Sequence, residues 1–281
     1  MPELPEVETV KETLKKVILG KTITNIDVFY SSIIDNVTVD EFKNCLIGQS
    51  FCDIKRKGKY LIFVLNDYYL ISHLRMEGKF FKYSDTDFSK HDHIVFYFDD
   101  FNIRYNDTRK FGRMYLFSKS TDIYNTYPLS VVANDVFEGV DENQIYSKLQ
   151  RLKKTIKEAL LDQSIISGLG NIYVDEVLFL SAIHPETKAS NISLDDIRSI
   201  IDSSMIVLSR AIKLGGTTIK SFASSHGITG LFQNELRVHT KEVCPKCGAK
   251  IKKNRVGGRG TYFCPTCQQL KNWWFYDIII W

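Results

Sequence analysis

The sequence predicts an α+β protein: a β-rich first part, a helical segment, then a small cysteine module. Three observations carry that prediction. Between about 22 and 118, short runs such as TITNIDVFY, YLIFVL, YYLISHL and HIVFYF concentrate β-branched and aromatic residues. From about 143 to 214, apolar residues return at helical spacing. Cys244-x2-Cys247 and Cys264-x2-Cys267 then stand sixteen residues apart.

Taken in order, Val7, Val10, Leu14, Val17 and Ile18 share one face of a helix expected over roughly 6–19, with Gly20 at its C-cap. Asn66-Asp67 and Asp99-Asp100 lie between strand-like runs, where turn residues belong, so the region reads as a β-sandwich or a barrel. Pro128, in TDIYNTYPLS, marks a connection to a second domain. Helices are expected in YSKLQRLKKTIKEALLD, NIYVDEVLFLSAI and LDDIRSIIDSSMIVLSRAIKLGG. Residues 216–234, rich in Gly, Ser and Thr, read as a mobile loop. The domains expected are 1–130, 131–235 and 236–270, followed by an aromatic and apolar tail over 271–281.

Two knuckles of paired cysteines offer four thiolates in the tetrahedral set of a structural zinc site: Cys244, Cys247, Cys264 and Cys267. Four protein ligands leave no open position, so such a zinc folds its module and performs no chemistry. The remaining Cys45 and Cys52 show no disulfide pattern, and no apolar run approaches the length of a membrane span, so a cytoplasmic protein is expected. Charge is polarised. Residues 1–150 carry 19 basic and 22 acidic side chains, whereas 151–281 carry 18 and 11, and 236–270 carry 8 and 1. That imbalance points to a polyanion.

Removal of Met1 would leave Pro2 as a secondary amine. An α-amino group titrates near ~8, so much of it is neutral and nucleophilic at physiological pH. Glu3 stands beside it to move protons. In SGLGNIYVDE, two glycines permit a tight turn, and Asn171 is expected at the N-cap of the next helix, where backbone N–H groups seat a phosphate. Lys154 and Lys157 precede it, on what reads as a helix. Arg56, Lys57 and Lys59 crowd the entry to a strand, where a lysine is a solvated edge residue, a proton shuttle or a phosphate clamp. Met76 in HLRMEG, with Arg109 and Phe111 in DTRKFG, reads either as ordinary packing residues or as an apolar wedge and a cation of the kind that replaces an extruded base.

Taken together, MPELPEVETV, RKGKYLIF, HLRMEGKF, KHDH, DTRKFG, GLGNIYVDE and the cysteine module resemble the bacterial formamidopyrimidine-DNA glycosylases over about residues 2–270. The resemblance implies an N-terminal β-sandwich, a helical domain with a helix-two-turns-helix motif, a C-terminal four-cysteine zinc finger, and one structural Zn2+. It also implies a monomeric, bacterial, nucleoid-associated enzyme that flips oxidised purines from double-stranded DNA, excises them and cleaves the strand by β,δ-elimination.

By that resemblance Pro2 is the Schiff-base nucleophile, Glu3 assists sugar opening, Lys59 assists β-elimination, and Arg259 binds phosphate and acts in δ-elimination. His91, Lys154 and Asn171 contact phosphate. Met76, Arg109 and Phe111 fill the void, and Lys220 opens the 216–230 loop over the flipped base. The chain departs from the family pattern at His239-Thr240-Lys241, at Glu158 and near SVVANDVFEG, where a Gly-Pro-Glu-Pro linker is usual. The alternatives are an endonuclease VIII-like enzyme for oxidised pyrimidines, a non-catalytic damaged-DNA-binding protein, and a zinc-ribbon factor that binds RNA or acts in transcription.

Overall fold

The structure, a computed structural model, describes residues 2–217 and 230–271. It divides into two compact units, Met1–Ser130 with Ile212–Leu231, and Val131–Ala211 with Phe232–Trp281. Lys220, most of the 216–230 loop and the tail beyond 271 fall outside the described residues.

The first unit opens with helix α1 (Leu4–Ile18). Glu3 is its N-cap, and the Glu3 N–H donates to Glu6 Oε2 at 2.9 Å. Pro5 falls in the first turn, where its missing N–H costs nothing. Leu4, Val7, Val10, Leu14 and Ile18 are all buried. In chain order come β1 (Asn25–Val28), α2 (Val39–Leu46), β2 (Phe51–Lys57), β3 (Tyr60–Leu65), β4 (Tyr68–His73), β5 (Lys79–Tyr83), β6 (Asp92–Tyr97), β7 (Asn102–Asn106) and β8 (Arg113–Ser118). These strands make two antiparallel four-stranded sheets, β1-β6-β7-β5 and β2-β3-β4-β8. One core cluster joins α1 (Val10, Leu14) to both sheets (Phe63 and Leu70; Phe80 and Phe96). That is the sandwich form of the two expected.

The second unit contains α3 (Glu142–Gln150), α4 (Ile156–Leu160), α5 (Asn171–Leu180) and nearly all of α6 (Leu194–Lys213), then β9 (Lys252–Val256) and β10 (Arg259–Phe263). The expected helix over YSKLQRLKKTIKEALLD is broken in two. Thr155 Oγ1 accepts from the Glu158 N–H at 3.3 Å, and Glu158 Oε2 accepts from the Thr155 N–H at 3.0 Å. This capping box starts a new helix and ends any continuation from α3. Lys154 therefore lies in the break and not on a helix. β9 and β10 are joined by Gly257 and Gly258 at φ of 54° and 77°, the left-handed pair that a tight hairpin turn requires. Among the described residues, no helix is long and apolar enough to cross a membrane.

Candidate functional site

The first unit holds the N-terminus on a rigid base. Pro2 and Glu3 are both buried. Glu6, which the sequence reading overlooked, binds Glu3 through one oxygen and accepts from Thr217 N–H (2.9 Å) and Oγ1 (3.1 Å) through the other. A Cβ on Gly216 would lie 2.6 Å from the same carboxylate oxygen, so only glycine fits there. The start of the chain and the approach to residue 218 are thus tied through one carboxylate. The spacing Glu3-x-x-Glu6 was the available signal, since an acid at the third helical position closes a capping box.

Lys59 occupies the β2–β3 turn after Gly58, whose φ of 53° suits the first position of a two-residue hairpin. Lys57 and Lys59 are 8% and 5% exposed, so neither is the solvated edge lysine that was one expectation. Arg56 points elsewhere: its Nε donates to Glu8 Oε2 at 2.8 Å and its Nη1 to the Gly58 carbonyl at 2.9 Å, pinning the lysine turn to α1. Burial pushes the Glu8 carboxyl up, but hydrogen bonds from Lys11 and Arg56 outweigh it and hold the group below its usual range.

His73 lies across from Tyr60 in the sheet, and the Arg75 N–H donates to its Nδ1 at 2.9 Å. Burial first, then the charges of Arg75 and Lys59, drive the imidazole down to about 3 from an ordinary 6.5. His73 is therefore neutral at pH 7, with its proton on Nε2. The bond it accepts fixes a turn in which Arg75 takes φ 52°. The linkage has a definite sign. The unfolded chain binds a proton at His73 below ~6.5 that the folded chain refuses down to about 3, so acid destabilises the fold across that window. His73→Asn keeps an acceptor at the Nδ1 position and removes the titration. Equilibrium unfolding between pH 6.5 and 3 should then show a pH slope shallower by roughly 1.4 kcal/mol per unit, the value for one proton.

Met76, Phe111, Arg75 and Arg113 line one open pocket. Met76 is 37% and Phe111 48% exposed, and the Arg109 guanidinium lies 4.7 Å from the Phe111 ring centroid. The structure thus assembles the three expected wedge residues in one place. His91 is half-buried at the head of β6, and its carbonyl accepts from the Asp107 N–H at 3.0 Å.

In the second unit, Gly170 and not Asn171 is the N-cap of α5, and Asn171 is the first helical residue. Its Nδ2 donates to the Gly260 carbonyl at 3.0 Å, next to Arg259, which is exposed at the start of β10. Lys154 is exposed, with its ammonium 3.9 Å from Asp162. Lys157 is a different case. It is fully buried, donating to Asp175 Oδ1 at 2.7 Å and to the Gly260 carbonyl at 3.3 Å, so it braces the hairpin and is not a phosphate contact.

Asp175 Oδ2 also receives the Tyr262 N–H at 3.1 Å and lies 2.8 Å from His239 Nδ1. His239, the departure from the family pattern, therefore faces this buried carboxylate. Glu158, the second departure, lies beneath the hairpin turn, where a Cβ on Gly257 would meet its Cγ at 2.5 Å.

The ligand atoms of Cys244, Cys247, Cys264 and Cys267 all lie within 4.8 Å of one another, with Sγ–Sγ distances of 3.8 Å (Cys244–Cys267) and 3.5 Å (Cys247–Cys264). A tetrahedral ion with Zn–S bonds near ~2.3 Å spaces its sulfurs about 3.8 Å apart, so the four residues fit zinc. The module is the site of one structural zinc ion.

Comparison with known proteins supports the same reading. Residues 1–114 match the formamidopyrimidine-DNA glycosylase N-terminal domain, 133–223 the H2TH domain of the same enzymes, and 241–270 the zinc finger found in FPG and IleRS. The formamidopyrimidine-DNA glycosylase of an Exiguobacterium species is 47% identical over 275 residues, spanning 96% of this chain and 100% of the relative. That of Oceanobacillus iheyensis is 46% identical, spanning 96% and 99%. The chain belongs to the formamidopyrimidine-DNA glycosylase family.

A crystal structure of Lactococcus lactis Fpg with DNA containing an abasic site matches with a TM-score of 0.88 at 43% identity, covering 95% of this chain and 99% of the other. A second Lactococcus lactis complex, with DNA containing N7-benzyl-Fapy-dG, gives 0.88 at 44% identity, covering 95% and 100%. The protein is accordingly a DNA glycosylase of base excision repair with the AP lyase activity of its family, and DNA is its partner.

Proposed function

We propose that the chain, once Met1 is removed, excises oxidised purines such as 8-oxoguanine and formamidopyrimidines from duplex DNA as a nucleoid-associated monomer, through a Schiff base on Pro2. The Pro2 nitrogen attacks C1′ of the flipped nucleotide, and the damaged base leaves. Glu3 gives a proton to the ring oxygen as the sugar opens to the iminium. The iminium acidifies C2′–H, and loss of that proton expels the 3′ phosphate. Lys59 supports this β-elimination, and Arg259 holds phosphate and assists the δ-elimination that follows. His91, Lys154 and Asn171 contact phosphates. Met76, Arg109 and Phe111 occupy the space the nucleotide leaves, and Lys220 belongs to the loop over the lesion.

The observation that carries this reading is the seat of the N-terminus. The Glu3 N–H and Thr217 are bound to the two oxygens of the buried Glu6, so Pro2 is attached to a fixed frame. A held nucleophile meets its substrate at little entropic cost. Division of one hard displacement into covalent steps supplies the rest.

The test is borohydride trapping with the processed protein on duplexes carrying either 8-oxoguanine opposite cytosine or thymine glycol. The expected result is a covalent adduct, with 8-oxoguanine excised faster by roughly tenfold or more, a difference of about 1.4 kcal/mol in barrier. Preference for thymine glycol would favour the endonuclease VIII-like alternative. Binding without any adduct would favour a damaged-DNA-binding protein.

A further inference from the structure

We infer that Asp107 is a positioning residue that pre-sets the void-filling loop; the inference rests on the function proposed above. Asp107 is fully buried. Its Oδ1 accepts from the Arg109 N–H at 2.9 Å, and its Oδ2 accepts from the N–H groups of Phe111 (3.0 Å) and Gly112 (2.9 Å). One carboxylate therefore holds the backbone of both void-filling residues on this loop, while their side chains stay exposed. Between them, Lys110 takes a left-handed φ of 59°, a conformation that is disfavoured outside glycine. The three charge-assisted bonds offset that cost. The Asp107 main chain is fixed as well, with its carbonyl 2.7 Å from His93 Nε2 and its N–H on the His91 carbonyl at 3.0 Å.

Tyr105 joins this loop to the one that carries Met76. A Cβ on Gly112 or on Gly78 would overlap the Tyr105 hydroxyl, so the hydroxyl fits between one glycine of DTRKFG and one of HLRMEG. Burial, and then the Asp107 charge, push this phenol well above its usual range and keep it neutral. The two loops that fill the void are thus set by buried groups that need touch neither lesion nor phosphate. A wedge assembled beforehand spares the ordering that would otherwise accompany base extrusion.

The test compares wild type with Asp107→Asn on two substrates. One is a duplex with 8-oxoguanine opposite cytosine, and the other is a single-stranded oligonucleotide with an abasic site, which has no opposing base to replace. The Asn amide turns a donor toward N–H groups that need acceptors. Excision from the duplex should fall roughly 10- to 100-fold, while cleavage of the single strand stays within about twofold. A 2-aminopurine beside the lesion should report slower unstacking.

Equal loss on both substrates, or no loss on the duplex, would overturn the role of Asp107 while leaving the enzyme's function intact. Wild type that yields no borohydride adduct on either substrate would overturn the functional reading and this inference with it. If Asp107→Asn does not fold, Tyr105→Phe, which removes one hydroxyl, should show a smaller form of the same split, and equal activity on both substrates would reject the inference.

Discussion

Replacing Pro2 by glycine should reduce excision of 8-oxoguanine from duplex DNA by about a thousandfold or more, equivalent to roughly 4 kcal/mol of barrier. Binding of the same duplex should change little. The separation follows from where the functions lie. In the proposed mechanism Pro2 supplies the attacking nitrogen, whereas affinity for DNA is mostly phosphate neutralisation, assigned there to side chains such as the exposed Lys154 and Arg259, which the substitution leaves alone. Single-turnover excision beside an equilibrium binding titration reads both quantities. A parallel fall in binding and excision would mean that Pro2 only shapes the N-terminus. Met1 matters for the same reason, because an acylated proline nitrogen is a tertiary amide and no nucleophile.

Removing zinc should have the second large effect. The four sulfurs converge on a single ion site, and among the described residues a small cluster that includes Phe179, Val238, Ile251 and the ligands Cys244 and Cys264 packs around them. So little apolar burial cannot hold residues 241–270 alone. Binding of a structural zinc contributes about 10–16 kcal/mol in comparable modules, and that energy is folding energy. Cys264→Ser, or a strong chelator, should release one zinc per chain and abolish hydrogen-exchange protection across 241–270. Protection in the first unit should persist.

Duplex affinity should fall about a hundredfold or more, because residues 236–270 carry eight basic side chains against one acidic. Retained protection with the metal gone would contradict a structural role. Retained affinity would place the DNA contacts elsewhere.

Much of this was legible because periodicity and exposed chemistry are local. The strands announced themselves by β-branched runs, and the cysteine knuckles by spacing alone. Met76 and Phe111 stood out as apolar residues in loops beside arginines, and the structure puts them around one pocket. The misreadings share a cause. Lys157 looked like one more basic residue until Asp175, eighteen positions on, buried it. The same holds for His73 and Asp107, whose work is to accept backbone N–H groups from loops that the sequence marked only as loops.

Helix boundaries shifted for a related reason. Thr155 and Glu158 close a capping box within a run whose apolar spacing reads as continuous, and the chain follows the cap. Asn171 has the side chain of an N-cap, but Gly170 takes that place and leaves the Asn171 amide to bind the hairpin. Buried polar partners distant in sequence carry no periodic signal, so only the folded chain displays them.

In the proposed mechanism, catalysis runs through the nitrogen of Pro2 once Met1 is removed. Its most direct test is peptide mapping by mass spectrometry of the borohydride-reduced complex with an 8-oxoguanine duplex. The expected result is a single sugar adduct on an N-terminal peptide that begins at Pro2. An adduct on Lys59 or any other lysine, or one formed by protein that still carries Met1, would contradict it.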